Sequence, residues 1–184
     1  MKLLLSVCLS VLAIPSALAQ SGAVVVNVNG ISCINAVHQT GFNATSYSLG
    51  GTVKTGRFEQ SNAQSNAQSS IRPPSLSDLS VAKNFDACSE PLIRLFLGST
   101  VIPTVTLIQY STGSGERPFA ALTITLTNAI MTSYEVTGAP DVHPTLVLLL
   151  TYKKVSVISI SQNPDGTTQA PVTVCYDAAK NQWS

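Results

Sequence analysis

A mainly β fold carrying one short helix is the class this sequence predicts, and three observations point to it. Charged residues make up only 10% of the chain while Thr, Ser, Val, Ile and Leu are abundant, a composition suited to short half-buried strands. Alternating apolar runs recur along the chain, separated by clusters of Gly, Pro, Asn and Asp. A lone stretch from Cys88 to Gly98 breaks that pattern with helix chemistry. The expected architecture is all-β: a compact β-barrel or two-sheet sandwich with one helix over residues 89–97, in a single domain spanning 20–184.

Val24 to Val28 and Thr45 to Leu49 read as short strands, the first ending at the Asn29-Gly30 turn signal. Between Gly50 and Pro74 the composition changes: SNAQSNAQ repeats a four-residue unit, and Ser, Asn and Gln dominate before Arg72-Pro73-Pro74. So polar a run cannot offset its ordering entropy, and a long surface loop is expected. Leu76 to Asn84 alternates as a strand, with Leu79, Val81 and Lys83 sharing a face. Helix signals follow. Ser89 is the expected N-terminal cap, Glu90 suits the positive end of the dipole, Pro91 is tolerated in a first turn, and Gly98 is the expected left-handed stop. A helix this short is marginal alone, so Leu92, Leu95 and Phe96 are expected to be held by packing on a sheet.

Ile102 to Tyr110 returns to strand character. Ala121 to Leu126 places Leu122, Ile124 and Leu126 on one face, and the pair Ile130-Met131 shows the parity slipping near Asn128-Ala129, which predicts a bulge or bend. From Thr145 to Ile160 the even positions Leu146, Leu148, Leu150 and Tyr152 are apolar, after which Val155 and Val157 carry the pattern on odd positions. A straight strand of that length would run ~50 Å, so the run is expected to bend at Lys153-Lys154 and serve two sheets. Asn163-Pro164-Asp165-Gly166 is a strong turn before the last strand, Val172 to Tyr176.

The N-terminus reads as a secretory signal peptide over residues 1–19. Lys2 is the basic start, Leu3 to Ile14 the apolar stretch, and Ala17-Leu18-Ala19 the cleavage motif before Gln20. As a helix the apolar stretch reaches ~18 Å against ~30 Å of hydrocarbon, too short for a stable anchor. Cys8 lies inside it and leaves with it. Export to the periplasm or the extracellular space is the expectation. Removing Lys2 from ten Lys and Arg leaves nine against nine Asp and Glu, a neutral mature chain. Nucleic acid is excluded as a partner class, because phosphate binding needs clustered basic residues and Lys153-Lys154 is the only basic pair.

Cys33, Cys88 and Cys175 remain after cleavage, an odd number, so at most one bridge forms and one thiol is left over. An oxidising compartment favours that bridge, and the residues themselves leave three pairings open. Catalytic constellations are poor. His38 and His143 are the only histidines, and His143 sits in Asp141-Val142-His143-Pro144, a loop-like tetrapeptide. Neither is beside a cysteine in sequence, and Asp141 with His143 lacks a third and fourth metal ligand at recognisable spacing. Gly113-Ser114-Gly115 reads as a hairpin tip, and Asp86 and Asp177 as turn carboxylates bonding nearby amides. No cofactor, metal or catalytic residue is expected.

The segment DLSVAKNFDACSEPLIRLFLGSTVIPTVTLIQY resembles the signature of the haemolysin-coregulated protein family, whose members form the inner tube of type VI secretion systems. NVNGI and TSYSLG resemble that family's first strands. ITLTNAIMTSYEVTG, PTLVLLLTYKKVSVISISQNPDG and VTVCYDAAKN resemble its long strands, Asp-Gly turn and closing strand, with Tyr176 in place of tryptophan. Together these pieces cover most of residues 23–181, and the signal peptide departs from the family pattern. The resemblance implies a non-enzymatic subunit that pairs with itself in a six-membered ring, stacks into a tube, and holds small effectors or meets other secretion components. It implies that the 50–74 loop is an arm against a neighbouring subunit. It also favours Cys88 with Cys175 as the bridge, both lying inside family motifs, with Cys33 as the alternative partner. The rival reading is a monomeric secreted module using its loops to hold a glycan or a protein surface.

Overall fold

The computed structural model describes residues 22–33, 41–52, 74–112 and 118–183. The expected signal peptide with its Ala19-Gln20 junction, His38, most of the expected 50–74 loop and Gly113-Gly115 lie outside the described residues. Strands β1 (Val24–Val28), β2 (Phe42–Ala44), β3 (Ser46–Ser48), β4 (Gly51–Thr52), β5 (Ser75–Leu76) and β6 (Leu79–Asn84) precede helix α1 (Ser89–Leu97). After it come β7 (Ile102–Thr112), β8 (Pro118–Ala139), β9 (Val142–Thr151), β10 (Lys154–Ser159), β11 (Val172–Asp177) and β12 (Gln182–Trp183).

All the pairings are antiparallel. One layer runs β12-β11-β10-β8-β7-β1-β2, and β8 also pairs with β9, which pairs with β6, which pairs with β3. Among the described residues the pairing does not close on itself, so of the two expected architectures the sandwich is the one observed. β8 joins its layers. Its first half lies between β7 and β10, and from Ile130 onward it pairs with β9. The run from Thr145 to Ile160 makes the return crossing, leaving β8's second half at Thr151 and rejoining its first half at Lys154, which is the bend expected at the lysine pair. On the opposite side the chain passes from β2 to β3 through Thr45, whose N–H donates to the Ala82 carbonyl at 2.8 Å. Phe42–Ala44 was not expected as a strand, three residues being too few to show alternation.

The core lies between the layers. Val26, Leu107 and Leu126 from the first meet Leu79, Val81, Leu146 and Leu148 from the second in one buried cluster. Each such side chain contributes about 1.5–3 kcal/mol through removal from water. The parity slip in β8 has a local cause. Ile124 and Leu126 are buried on even positions, Ala129 and Met131 on odd ones, and Asn128 between them is exposed with φ 51°. That left-handed residue adds one step to the alternation and turns the strand into the second layer. Valine at position 128 is therefore expected to cost about 1–2 kcal/mol, because its branched Cβ clashes in that region, while Asn128→Gly stays within about 0.5 kcal/mol of wild type. Urea midpoints of the two variants check this.

Helix α1 lies against β8's second half. Leu92 is fully buried, Leu95 and Phe96 pack on the core, and the Phe96 ring meets Tyr134 edge-on with centroids 5.0 Å apart. All three residues expected to anchor the helix do so.

Candidate functional site

The polar centre of the molecule is the junction between β6 and α1. Alternation along β6 sends Lys83 to the same inward face as Leu79 and Val81, and Lys83 is fully buried. Its ammonium donates to the Asp86 carboxylate at 2.6 Å, the Asn84 carbonyl at 2.7 Å and the Ser89 hydroxyl at 3.0 Å, and lies 5.4 Å from the centroid of the Phe42 ring. Three acceptors and an aromatic face satisfy a charge that would otherwise be prohibitive there.

The same network corrects the expected N-terminal cap. Cys88, not Ser89, occupies the N-cap, and Ser89 is the first helical residue. The side-chain acceptor comes from Asp86, whose carboxylate takes the Cys88 N–H at 2.9 Å, while the Ser89 hydroxyl accepts the Asp86 N–H at 3.0 Å. The turn Asp86-Ala87-Cys88 supplies the start, so the serine is drawn inward to the lysine. Gly98 is the C-terminal cap in right-handed geometry, and the left-handed residue is Ser99 at φ 47°. Ser99 N–H bonds the Phe96 carbonyl and Thr100 N–H the Leu95 carbonyl, the paired bonds that close a helix one residue later than a glycine signal suggests.

The disulfide also differs from the favoured pairing. Cys88 joins Cys33 with Cα atoms 5.6 Å apart, the alternative partner rather than Cys175. Tertiary neighbours explain it. The Gly41 N–H donates to the Cys33 carbonyl at 2.8 Å, and the next residue, Phe42, lies against Lys83, which brings Cys33 to the helix start. Cys175 is on β11, separated from β1 by β10, β8 and β7, with its sulfur 3.4 Å from the Ser156 hydroxyl. No described cysteine is free, where a left-over thiol was expected. With Cys33 and Cys88 joined, neither offers a thiolate nucleophile.

Remaining polar residues hold turns. Among the described residues no group of three or more His, Cys, Asp and Glu is placed to hold a metal ion. Asp141 is a left-handed residue at the tip of the β8-β9 hairpin, and His143 is an exposed residue of β9 rather than part of a loop. Asp177 accepts the Ala179 and Lys180 N–H groups at 3.1 Å and lies 3.3 Å from the Lys154 ammonium. Desolvation raises the Asp177 carboxyl, and the Lys180 amide, the Lys154 hydrogen bond and the charges of Lys154 and Lys180 together outweigh it and hold the carboxyl below its usual range. A lowered folded-state value contributes stability above the ordinary aspartate range, ~pH 4, which is lost as pH falls through the lowered value. Asp177→Asn should therefore lower the urea midpoint at pH 7, with the gap to wild type narrowing in acid.

With few groups suited to chemistry, the candidate functional surface is the exterior of the sheets. Among the described residues β2 pairs only with β1, and β12 covers β11 only at Tyr176 and Asp177, which leaves the Val172 to Val174 half of that strand as an edge. Val172 is 63% exposed and Val174 46%. Leu97 and Val101 at the helix end, and Val136 and Val142 on the β8-β9 hairpin, are further exposed apolar residues. Strand edges and apolar residues of this kind are what subunit contacts cover.

No curated protein sequence matches the chain. Its fold is that of a solved type six secretion system protein, with a TM-score of 0.75 and 18% identity over 89% of this chain and 100% of the other. Hcp1 from Salmonella typhimurium superposes with a TM-score of 0.65 and 17% identity, covering 88% of this chain and 98% of its own. Secreted protein Hcp3 from Pseudomonas aeruginosa does so with a TM-score of 0.55 and 12% identity, covering 84% of this chain and 95% of its own. The family model described as type VI secretion system effector, Hcp, matches residues 23–158, which takes in β1 and all but the last residue of β10. The chain belongs to the Hcp family.

Proposed function

We propose that this chain is a non-catalytic structural subunit that associates with itself into a closed ring of six, whose stacked copies make a type VI secretion tube with a lumen able to carry small effectors. The observation that carries the reading is the family match across nearly every strand of the sandwich. Open strand edges and exposed valines support self-association, since a ring covers them through a head-to-tail interface that closes, where an unclosed one would run on into filaments.

Export through the signal peptide, with a mature single domain starting at Gln20, is part of the same proposal. The 50–74 arm, whose base is the β4-β5 ribbon, serves as a contact with the neighbouring subunit. Native mass spectrometry of the exported protein tests these points together. The expected result is a six-fold assembly of chains that begin at Gln20. A monomer at high concentration removes the ring and makes the secreted binding module the better account, and chains retaining residues 1–19 remove the export claim.

A further inference from the structure

A cleft of about 440 Å³ opens where the chain crosses between the layers, lined by Pro74 to Asp78 just before β6, Thr151 and Tyr152 at the end of β9, and Tyr176, Ala178 and Asn181 around the β11-β12 turn. The volume is within the range of small-ligand pockets. Its hydrogen-bonding capacity is lopsided. Tyr152 donates its hydroxyl proton to the Ser77 carbonyl at 3.1 Å, Ser77 donates its own to the Gly50 carbonyl at 2.8 Å, and the Tyr176 hydroxyl donates to Asn181. Three hydroxyl protons are thus committed within the protein. The Asp78 carboxylate accepts from Thr132 through Oδ2 at 2.7 Å, with no described protein donor on Oδ1. Among the described residues, no lysine or arginine lines the cleft to balance that charge.

We infer that this cleft binds a donor-rich organic cation, a guanidinium or ammonium group, with Asp78 as counter-ion and the aromatic rings of Tyr152 and Tyr176 as its walls. A carboxylate beside aromatic rings suits such a group twice over, through charge-assisted hydrogen bonds and through attraction of the cation to ring faces. A neutral polyol fits less well, because it needs donors as well as acceptors and the three hydroxyl protons are already used. Burial and then the Asp78 charge push the Tyr152 phenol up to about 12, so it keeps its proton, and its hydrogen bond to the Ser77 carbonyl, at neutral pH. This inference does not rest on ring formation. It concerns a surface present in each copy.

Calorimetric titration of the folded chain with arginine amide tests it, against a citrulline amide as the neutral isostere and glucose as the polyol. Saturable one-site binding is expected for arginine amide, with the isostere weaker by about ten-fold or more and glucose silent. Asp78→Asn should weaken arginine amide by a similar factor, and if that variant does not fold, the isostere comparison on the wild-type chain decides alone. Sedimentation with saturating arginine amide separates the two sources of the cation: dissociation of an assembly assigns the cleft to a basic side chain of a second copy, and an unchanged mass assigns it to a free cation. No saturation, equal binding of the neutral isostere, or binding indifferent to a folded Asp78→Asn variant overturns the inference.

Discussion

Alanine in place of Asp86 is expected to cost about 3 kcal/mol of folding free energy, more than any other single exchange at the helix start. The reason is an asymmetry of burial. The Lys83 side chain is fully enclosed while that of Asp86 is 52% exposed, so losing the carboxylate strands an ammonium that cannot reach water. Losing the lysine instead leaves a carboxylate that can be hydrated. Lys83→Met, which keeps the apolar stem and fills the same space, is therefore expected to cost less than about 1.5 kcal/mol. Asp86 also accepts the Cys88 N–H, which adds the loss of a helix start to the first variant and not to the second. Urea unfolding of both variants at neutral pH checks the ordering. Equal losses would mean that the pair acts as a surface ion pair.

Reduction of the Cys33–Cys88 bridge carries the other large effect. The bridge spans 55 residues, and restricting an unfolded chain by a loop of that size is worth up to about 4 kcal/mol, though strain and residual structure often reduce the gain. It also fastens the segment after β1 to the start of α1, close to Lys83 and Phe42, so its loss loosens the junction that the ion pair holds. Cys33→Ser is expected to unfold at a clearly lower urea concentration than the oxidised wild type, and reductant should move the wild type toward the variant while leaving the variant unchanged. A wild-type midpoint indifferent to reductant would show that the bridge adds nothing to stability.

Much of the architecture was legible because strands with one buried face must alternate. The even positions Leu146, Leu148 and Leu150 and the inward set Leu79, Val81 and Lys83 were readable as faces, and so was the slip at Asn128-Ala129, since a change of parity is itself a sequence signal. The crossing at Lys153-Lys154 was readable from length, a strand of that run being too long for the domain. The helix and its three packing residues followed from a change of period and from marginal length. The N-cap was misplaced by one step, because Ser89 carries a capping propensity that Lys83 overrides by drawing its hydroxyl inward, and at the other end Gly98 is the cap while the left-handed residue is Ser99.

What the sequence determined by itself was therefore the class, the faces and the family likeness, each a property of neighbours along the chain. The partner of Cys88, the burial of Lys83 and the open edge of β11 were decided by tertiary structure alone. Each depends on which strands lie side by side across long separations, as when Gly41 and Phe42 bring Cys33 to a helix cap 55 residues later. Local patterns say which face of a strand turns inward. They do not say which strand it will face, because that choice rests on the pooled burial of all the layers at once.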